Sequence, residues 1–552
     1  MDTLPTVLRD LPPLYKAPAT LLALAFATYL WLFPIANARI PFRNLPDPGP
    51  GHWLLGHALA NFHPPSPNAA HIDLHKTHGH TIKYRTQLGN FEVSTIDPTA
   101  ISYIVNNPNI FVKPPAARKW LEWRIGHGVS TAMGDDNKHQ RRLMGPSFSA
   151  AAMRDMVPVF HDVAYELSDK FRSPVVDREG APSPPSPSPP KPIDAVPGGG
   201  KIDVLKYIGM ATFDVMGLTG FGHAFRALSE QPNTLTDCMH SYLAAFFKTG
   251  ISDFLAAMYS IQLVICQRES LLSAQTVAPL TLASKRIARE KREQIFEQTH
   301  GEGIHKKQDV GKDLLSILIK ANMASDLKPN ERLSDEVVAD QIMTFLVAGS
   351  ETVATSLSFF LDLLGKHPNI QDRLREELMS VNEERPSAEV LDSLTYLDAF
   401  VREALRFCPA GPWMYRLATE PVAVPLGTPV KGKDGKMMNS FTIDSSTFVF
   451  TPIRALNTST SFWGPDAETF DPSRFLDGRS ETATKLPGVY GNTMTFMAGP
   501  RNCIGELGSR PERVSKISLV VRAFVKGEEH LGVQVPLMVV PLGGSSRDKE
   551  VV

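Results

Sequence analysis

From Ser334 to Pro368 the chain reads as one uninterrupted helix. Ser334 can cap its start, and Asp335 and Glu336 suit the positive end of the helix dipole. Apolar residues recur through Val337, Val338, Ile342, Phe345 and Leu346 to Leu364, and Pro368 closes the run. The expected length is about 30 residues, against ~10–14 for a usual helix. Further helices are expected over 150–172, 201–222 and 391–407. Runs with β character are short, at 81–86, 91–96 and 447–452. The expected fold class is therefore mainly α with a minor β-sheet region. The chain has 552 residues, 43% of them hydrophobic and 21% charged, enough to bury a core through most of its length. A net charge of -1 lacks the basic excess of a nucleic-acid binder.

Cysteine usage bears on compartment. Cys238, Cys266, Cys408 and Cys503 are far apart and form no CxxC pair, unlike a secreted disulfide scaffold. The body is expected to face a reducing compartment. Of the 16 histidines, His52, His57, His63, His71, His75, His78 and His80 crowd one Pro- and Gly-rich stretch without metal-ligand spacing. They are expected on loops or at the surface.

The N-terminus carries the one other long apolar stretch. No charge lies between Lys16 and Arg39, and the segment includes Leu21-Leu22-Ala23-Leu24 and Tyr29-Leu30-Trp31-Leu32-Phe33. About 20 apolar residues span a bilayer core, and Tyr29 and Trp31 suit its interface. The expected organisation is a lumenal N-terminus at 1–16, a transmembrane signal anchor at 17–38 and a Pro-rich hinge at 39–52. A catalytic domain at 53–541 and a tail at 542–552 follow. Prolines at 41, 46, 48 and 50 remove backbone donors and stiffen the hinge. Within the catalytic domain, 173–200 is proline-rich, ends in Gly198-Gly199-Gly200, and is expected to be a disordered insertion.

The segment Phe496-Met497-Ala498-Gly499-Pro500-Arg501-Asn502-Cys503-Ile504-Gly505 carries the chemistry. Gly499 and Gly505 let backbone pass close to a sulfur and a flat cofactor. Arg501 can pair with a carboxylate, and Phe496 can shield the sulfur from water. Backbone N–H groups can stabilise a thiolate at Cys503. Phe-x-x-Gly-x-Arg-x-Cys-x-Gly resembles the haem-binding signature of the cytochrome P-450 family, and the resemblance makes Cys503 the axial ligand of haem iron, with Arg501, Phe496, Gly499 and Gly505 around the cofactor.

Three further segments match that family in order. Ala348-Gly349-Ser350-Glu351-Thr352, midway along the long helix, resembles the oxygen-groove motif. There the small residues open a groove over the haem, Thr352 donates a hydrogen bond to bound oxygen, and Glu351 helps relay protons. Glu403-Ala404-Leu405-Arg406 with Phe470-Asp471-Pro472-Ser473-Arg474-Phe475 resembles the Glu–Arg–Arg network, making Glu403, Arg406 and Arg474 structural. Gly134 to Leu143 resembles the helix whose arginine binds a haem propionate. Arg141 takes that role, and Asn137 stands where a Trp or His is usual. Arg416 resembles the remaining propionate-binding arginine. The resemblance runs from about 45 to 541. The anchor resembles microsomal eukaryotic members, and the acidic-helix and FDPSRF wording looks most like fungal ones.

After Gly505 the family continues in a helix under the haem. Here Gly508 and Pro511 interrupt it, at helix-interior costs of about 1 and 3 kcal/mol. Two readings stand for 507–516: a locally broken helix, or a wrong short segment from a misread exon boundary.

The resemblance implies a monooxygenase with haem b that inserts one atom of dioxygen into a lipophilic small molecule: a terpenoid, sterol, fatty acid or aromatic metabolite. It also implies electrons from NADPH through a separate NADPH-cytochrome P-450 reductase, with cytochrome b5 as a further partner. The location implied is the endoplasmic reticulum membrane, single-pass, with a cytosolic catalytic domain. Trp120, Phe246, Phe247, Phe345 and Trp413 are candidate substrate contacts. The alternatives are a haem-thiolate isomerase or dehydratase, against which Thr352 argues, and a haem-deficient product of the 507–516 anomaly.

Overall fold

In the computed structural model the described residues are 20–21, 24, 26–28, 35–52, 55–57, 69–86, 89–176, 200–229, 242, 262–298, 311, 313–323, 327, 331–505 and 536–539. They fall into two units, Met1–Pro114 with Trp413–Ser459, and Pro115–Pro412 with Thr460–Val552. Elements are numbered along the chain.

The first unit is built on a five-stranded sheet. It contains β1 (Thr81–Arg85), β2 (Phe91–Thr95), β3 (Phe111–Val112), β5 (Trp413–Ala418) and β8 (Phe448–Pro452) in the order β1-β2-β8-β5-β3. β2 and β8 run parallel, and the other pairs antiparallel. The three β runs legible in the sequence are thus neighbours in one sheet. β1 is buried along its whole length, and the Thr81 and Thr95 hydroxyls, opposite in register, bond at 2.8 Å. A separate hairpin joins β6 (Val422–Lys431) to β7 (Met437–Ile443). Helix α1 (Ala69–His78) precedes β1, and α2 (Pro98–Asn106) follows β2. Asp97 caps α2 by accepting from the Ala100 amide at 2.9 Å, and it also accepts from Gly427 and Thr428 of β6. One carboxylate therefore joins helix and hairpin.

The histidine stretch departs from expectation. His71 and His75 lie on α1, a helix, and both are buried, not on a loop. Placed four residues apart, they share one helix face and turn it toward the sheet. Among the described residues no group of three or more His, Cys, Asp or Glu gathers to hold a metal.

The Pro-rich segment is docked on this unit. Phe42 and Leu45 are buried, and Lys83 and Lys433 donate backbone hydrogen bonds to the Pro46 and Asn44 carbonyls. The buried Lys83 ammonium donates to Asn37 at 2.6 Å and lies 3.5 Å from Asp47, which also pairs with Lys433. Of the expected anchor, Thr20, Leu21, Leu24 and Phe26–Thr28 are helical, as is Ala36–Arg39; the rest lies outside the described residues.

The second unit is helical: α3 (Pro115–Ile125), α4 (Gly134–Met144), α5 (Ala150–Val176), α6 (Val204–Val215), α7 (Gln262–Gln298), α8 (Leu314–Met323), α9 (Asp335–Lys366), α10 (Pro368–Met379), α11 (Ala388–Ser393) and α12 (Thr395–Phe407). α9 is the long helix, 32 residues, with the Ser334 hydroxyl accepting from the Val337 amide as expected. Among the described residues it alone is long and apolar enough to cross a membrane, yet most of it is buried within its own unit. α3, α4, α6, α7 and α8 contribute to the apolar cluster around its first half, including Leu143, Phe213, Ile287, Leu318 and Ile342. The helix expected over 391–407 breaks at Leu394, whose extended backbone separates α11 from α12. α5 runs on to Val176, and the short strand β4 (Gly200–Asp203) pairs with β9 (Pro536–Val539) before α6 begins. α6 ends in a π-helical turn, Met216–Phe221. Residues 177–199 of the proline-rich insertion and the whole of 507–516 lie outside the described residues, as do Phe246 and Phe247.

Candidate active site

Cys503 sits on a folded-back loop. Met497 and Gly499 adopt positive φ, +61° and +70°, and a turn of 3-10 helix spans Gly499–Arg501. Glycine takes this region freely, but a methionine there is strained. The turn returns the chain so that the Cys503 amide donates to the Phe496 carbonyl at 3.0 Å. Phe496 is buried, and Cys503 packs against the same apolar cluster, with Phe400, Ala404, Leu405 and Phe470. Thr495 ties the loop to α12 through the Leu405 carbonyl at 2.8 Å. Phe496 and Cys503 are thus joined through their backbones and border one apolar cluster.

Two guanidinium groups flank the loop. Arg141, on α4, donates to the Asn502 carbonyl at 2.9 Å and to its side-chain oxygen at 2.7 Å. Arg501 donates to the Ala132 carbonyl at 2.6 Å and to the Met133 sulfur at 3.2 Å. Burial, and then the charge of Arg141, hold the Arg501 pKa below its ordinary value. Two cations that destabilise one another fit a dianionic group between them, as the paired propionates of a haem would be. Asn137 is spent differently: its buried amide donates to the Val129 carbonyl at 2.8 Å. Arg416 is buried on β5, in the first unit, and donates to the Tyr415 carbonyl at 2.8 Å.

On α9, the Thr352 hydroxyl donates to the Ala348 carbonyl of its own helix at 2.9 Å. Thr352 is buried and Glu351 partly exposed. Ser350 bonds the Leu346 carbonyl in the same way. A Cβ placed on Gly349 would meet the Met216 sulfur at 2.4 Å. The small residue at 349 therefore admits the π-helical turn after α6, where the resemblance implied a groove for oxygen. Nothing in the sequence marked Met216 as its partner.

Glu403, Arg406 and Arg474 come together as expected. Arg406 binds Glu403 through two bonds of 2.7 Å, and Arg474 lies 3.6 Å from the same carboxylate; all three are fully buried. Arg406 also donates to the Ala467 carbonyl, and Arg474 to Trp463 and Asp466. The network extends beyond the triad to Arg479, which pairs with Asp466, Asp471 and Asp477. The hydrogen bond from Arg474 is the main cause holding the Asp466 carboxyl below the usual range. Among the expected substrate contacts, Trp120 faces Arg124 at 3.8 Å, and Phe345 packs against Phe148 at 5.7 Å.

A helical unit around one long helix holds a cysteine on a loop flanked by two arginines, together with a buried Glu–Arg–Arg core. A family model of cytochrome P450 matches residues 46–524, and the chain belongs to that family, whose members bind haem iron. It is 32% identical, over 94% of this chain and 96% of the relative, to cytochrome P450 monooxygenase 205 of Postia placenta. It is 31% identical, over 91% of this chain and 92% of the relative, to ganoderic acid synthetase CYP5150L8 of Ganoderma lucidum. It is 29% identical, over 92% of this chain and 91% of the relative, to cytochrome P450 monooxygenase claP of Ampulloclitocybe clavipes.

Proposed function

We propose that the chain is a haem-thiolate monooxygenase that inserts one atom of dioxygen into a lipophilic terpenoid, sterol, fatty acid or aromatic metabolite. Electrons come from NADPH through a separate cytochrome P-450 reductase, with cytochrome b5 as a second donor. The N-terminal segment anchors it in the endoplasmic reticulum membrane with the body in the cytosol. A relative named for ganoderic acid synthesis supports a place in secondary metabolism. The observation that carries the reading is the Cys503 loop, turned back onto Phe496 and flanked by Arg141 and Arg501.

Haem b, when bound, supplies the reductive cleavage of dioxygen. Cys503 would hold its iron through the thiolate, and Phe496 would keep water from the sulfur. Arg141 and Arg501 would hold the propionates and so orient the cofactor; Arg416 would share that role on the resemblance alone. Thr352 donates to the Ala348 carbonyl, so to hand a proton onward its hydroxyl has to turn from that carbonyl, after which its lone pairs accept the replacement proton. Glu351, partly exposed on the same helix, is the residue that would take protons from solvent. Glu403, Arg406 and Arg474 hold the packing around the cysteine loop.

The test is a carbon monoxide difference spectrum of the reduced protein. A strongly red-shifted Soret band, lost in Cys503→Ser, is expected. A band typical of a neutral ligand, or no haem, would overturn the reading. Thr352→Ala should then oxidise NADPH without product; unchanged turnover would point instead to an isomerase or dehydratase.

A further inference from the structure

Between α3 and α4 the chain makes a short loop, 126–131, whose backbone is accounted for in an unusual way. The His127 amide donates to the Asp340 carboxylate at 2.7 Å, and the Val129 amide to the Gln341 side chain at 3.0 Å. Both acceptors lie on α9. The carbonyls of the same two residues turn the opposite way. His127 accepts from Gln140 at 3.2 Å, and Val129 from Asn137 at 2.8 Å, both on α4. Alternate residues of this turn thus offer donors to one helix and acceptors to another. Gln341 and Gln140 then bond each other at 2.9 Å, closing the ring.

The intervening residues must be small. A Cβ on Gly126 would fall 2.1–2.3 Å from the Asp340 carboxylate, and one on Gly128 would fall 2.1 Å from the Thr344 hydroxyl. Asp340 and Thr344 are one helical turn apart, so the two glycines ride along one ridge of α9. Gly126 also needs its positive φ of +73°, but Gly128 does not, so its side chain is excluded by contact alone. Thr131 accepts no such role but locks the bend, donating from its hydroxyl to the Gly126 carbonyl at 2.8 Å.

We propose that this loop is a spacer that sets α4 against α9, which makes Gln341, Gln140 and Asp340 positioning residues for Arg141. Arg141 follows Gln140 directly and is one turn beyond Asn137. The line Thr344, Ala348, Thr352 continues along α9 at four-residue steps, ending about 12 Å from Thr344. The clasp thereby relates the cation that holds the cofactor's acidic edge to the hydroxyl that handles protons. It also gives Asn137 a role of its own: its amide holds the loop through the Val129 carbonyl. The proposal rests on the haem-thiolate reading for its consequence, though not for its geometry.

The experiment uses the full-length holoprotein and reads two things: hydrogen exchange across 126–144, and the rate of haem transfer to excess apomyoglobin. Gln341→Leu removes the acceptor for Val129 and the donor to Gln140. It should speed exchange over 126–131 and in α4, and speed haem release, each at least about 10-fold, as loss of two buried hydrogen bonds implies. Gly128→Ala should do the same by collision, and adding Thr344→Ala should return both rates toward wild type, because the colliding hydroxyl is gone. Ser387→Ala, which removes the cap of a different helix, α11, controls for general destabilisation and should leave both rates unchanged. Faster loop exchange with unchanged exchange in α4 overturns the proposal, as does faster α4 exchange with unchanged haem release. If the purified protein carries no haem, the functional reading fails by itself, while α4 exchange still supports the spacer when faster and overturns it when unchanged.

Discussion

Each unit buries a polar network, and the two solve the problem by opposite means. In the second unit Glu403, Arg406, Arg474, Asp466 and Arg479 are charged, and every ion meets an opposite charge or a carbonyl. In the first, His75 lies between the Gly79 carbonyl at 2.9 Å and the Ser94 hydroxyl at 2.8 Å. Ser94 in turn lies 3.3 Å from His71, whose ring packs on Phe450 and edge-on to Tyr84. Tyr84 completes the group by donating to Glu92 at 2.7 Å. Burial, with the neighbouring histidines adding to it, pushes His71 well below its ordinary pKa, and burial pushes His75 down to about 4. Near neutral pH these two histidines therefore carry no charge, and Glu92 is met by the Tyr84 hydroxyl. The lesson is that a buried ion needs its partner, whereas a buried base needs the absence of a proton.

The largest expected effect comes from breaking the charged network. Glu403→Gln leaves two buried guanidinium groups short of a carboxylate, a change of about 3–5 kcal/mol. Urea unfolding should show that loss, with little haem-bound protein recovered. A wild-type midpoint would mean that the surrounding carbonyls suffice.

The second test separates the networks by pH. A histidine whose folded pKa is depressed favours folding above the unfolded value near 6.5 and loses that contribution as pH falls toward 4. For His75 the loss is on the order of 3 kcal/mol. Asp466, also depressed, loses its contribution in the same direction but in a lower window: it stands above 3.8 and goes only as pH falls below it. Acid should therefore loosen the first unit before the second. Tryptic cleavage sites followed from pH 7 to 4 should appear first within 69–95, and His75→Gln should narrow the window. Simultaneous loss would erase the distinction.

Smaller changes ask whether packing rather than charge limits the second unit. Gly349→Ala meets Met216 and should lower stability by about 1–3 kcal/mol. Met216→Ala in that background should recover part of it, measured by thermal melts of the holoprotein. If Gly349 instead serves an oxygen groove alone, no recovery follows. Ser334→Ala should cost about 1 kcal/mol through the lost α9 cap, seen as a small drop in urea midpoint.

Several features were readable before any fold was known because they depend on neighbours along the chain. Ser334 and Pro368 bound α9, and the spacing of Phe496, Gly499, Arg501 and Cys503 marks the thiolate loop. Glu403 and Arg406, three residues apart on a helix, bond through two contacts. The runs at 81–86, 91–96 and 447–452 did become strands, although nothing local indicates that they would be adjacent.

What only the tertiary structure decided is who stands opposite whom. His71 and His75 read as loop residues because their flanks are rich in Pro and Gly, but the sheet beside α1 turned them inward. Asn137 read as a weak substitute for a ring, and the carbonyl that it serves belongs to a loop whose bend no local pattern announces. Gly349 read as space for a ligand, while Met216 arrives from a π-turn more than a hundred positions earlier. Short-range spacing is set by helix and turn geometry and is written in the sequence. Long-range partners are chosen by burial, which rewards whichever donor, acceptor or methyl group completes the site, and that choice exists only once the chain has folded.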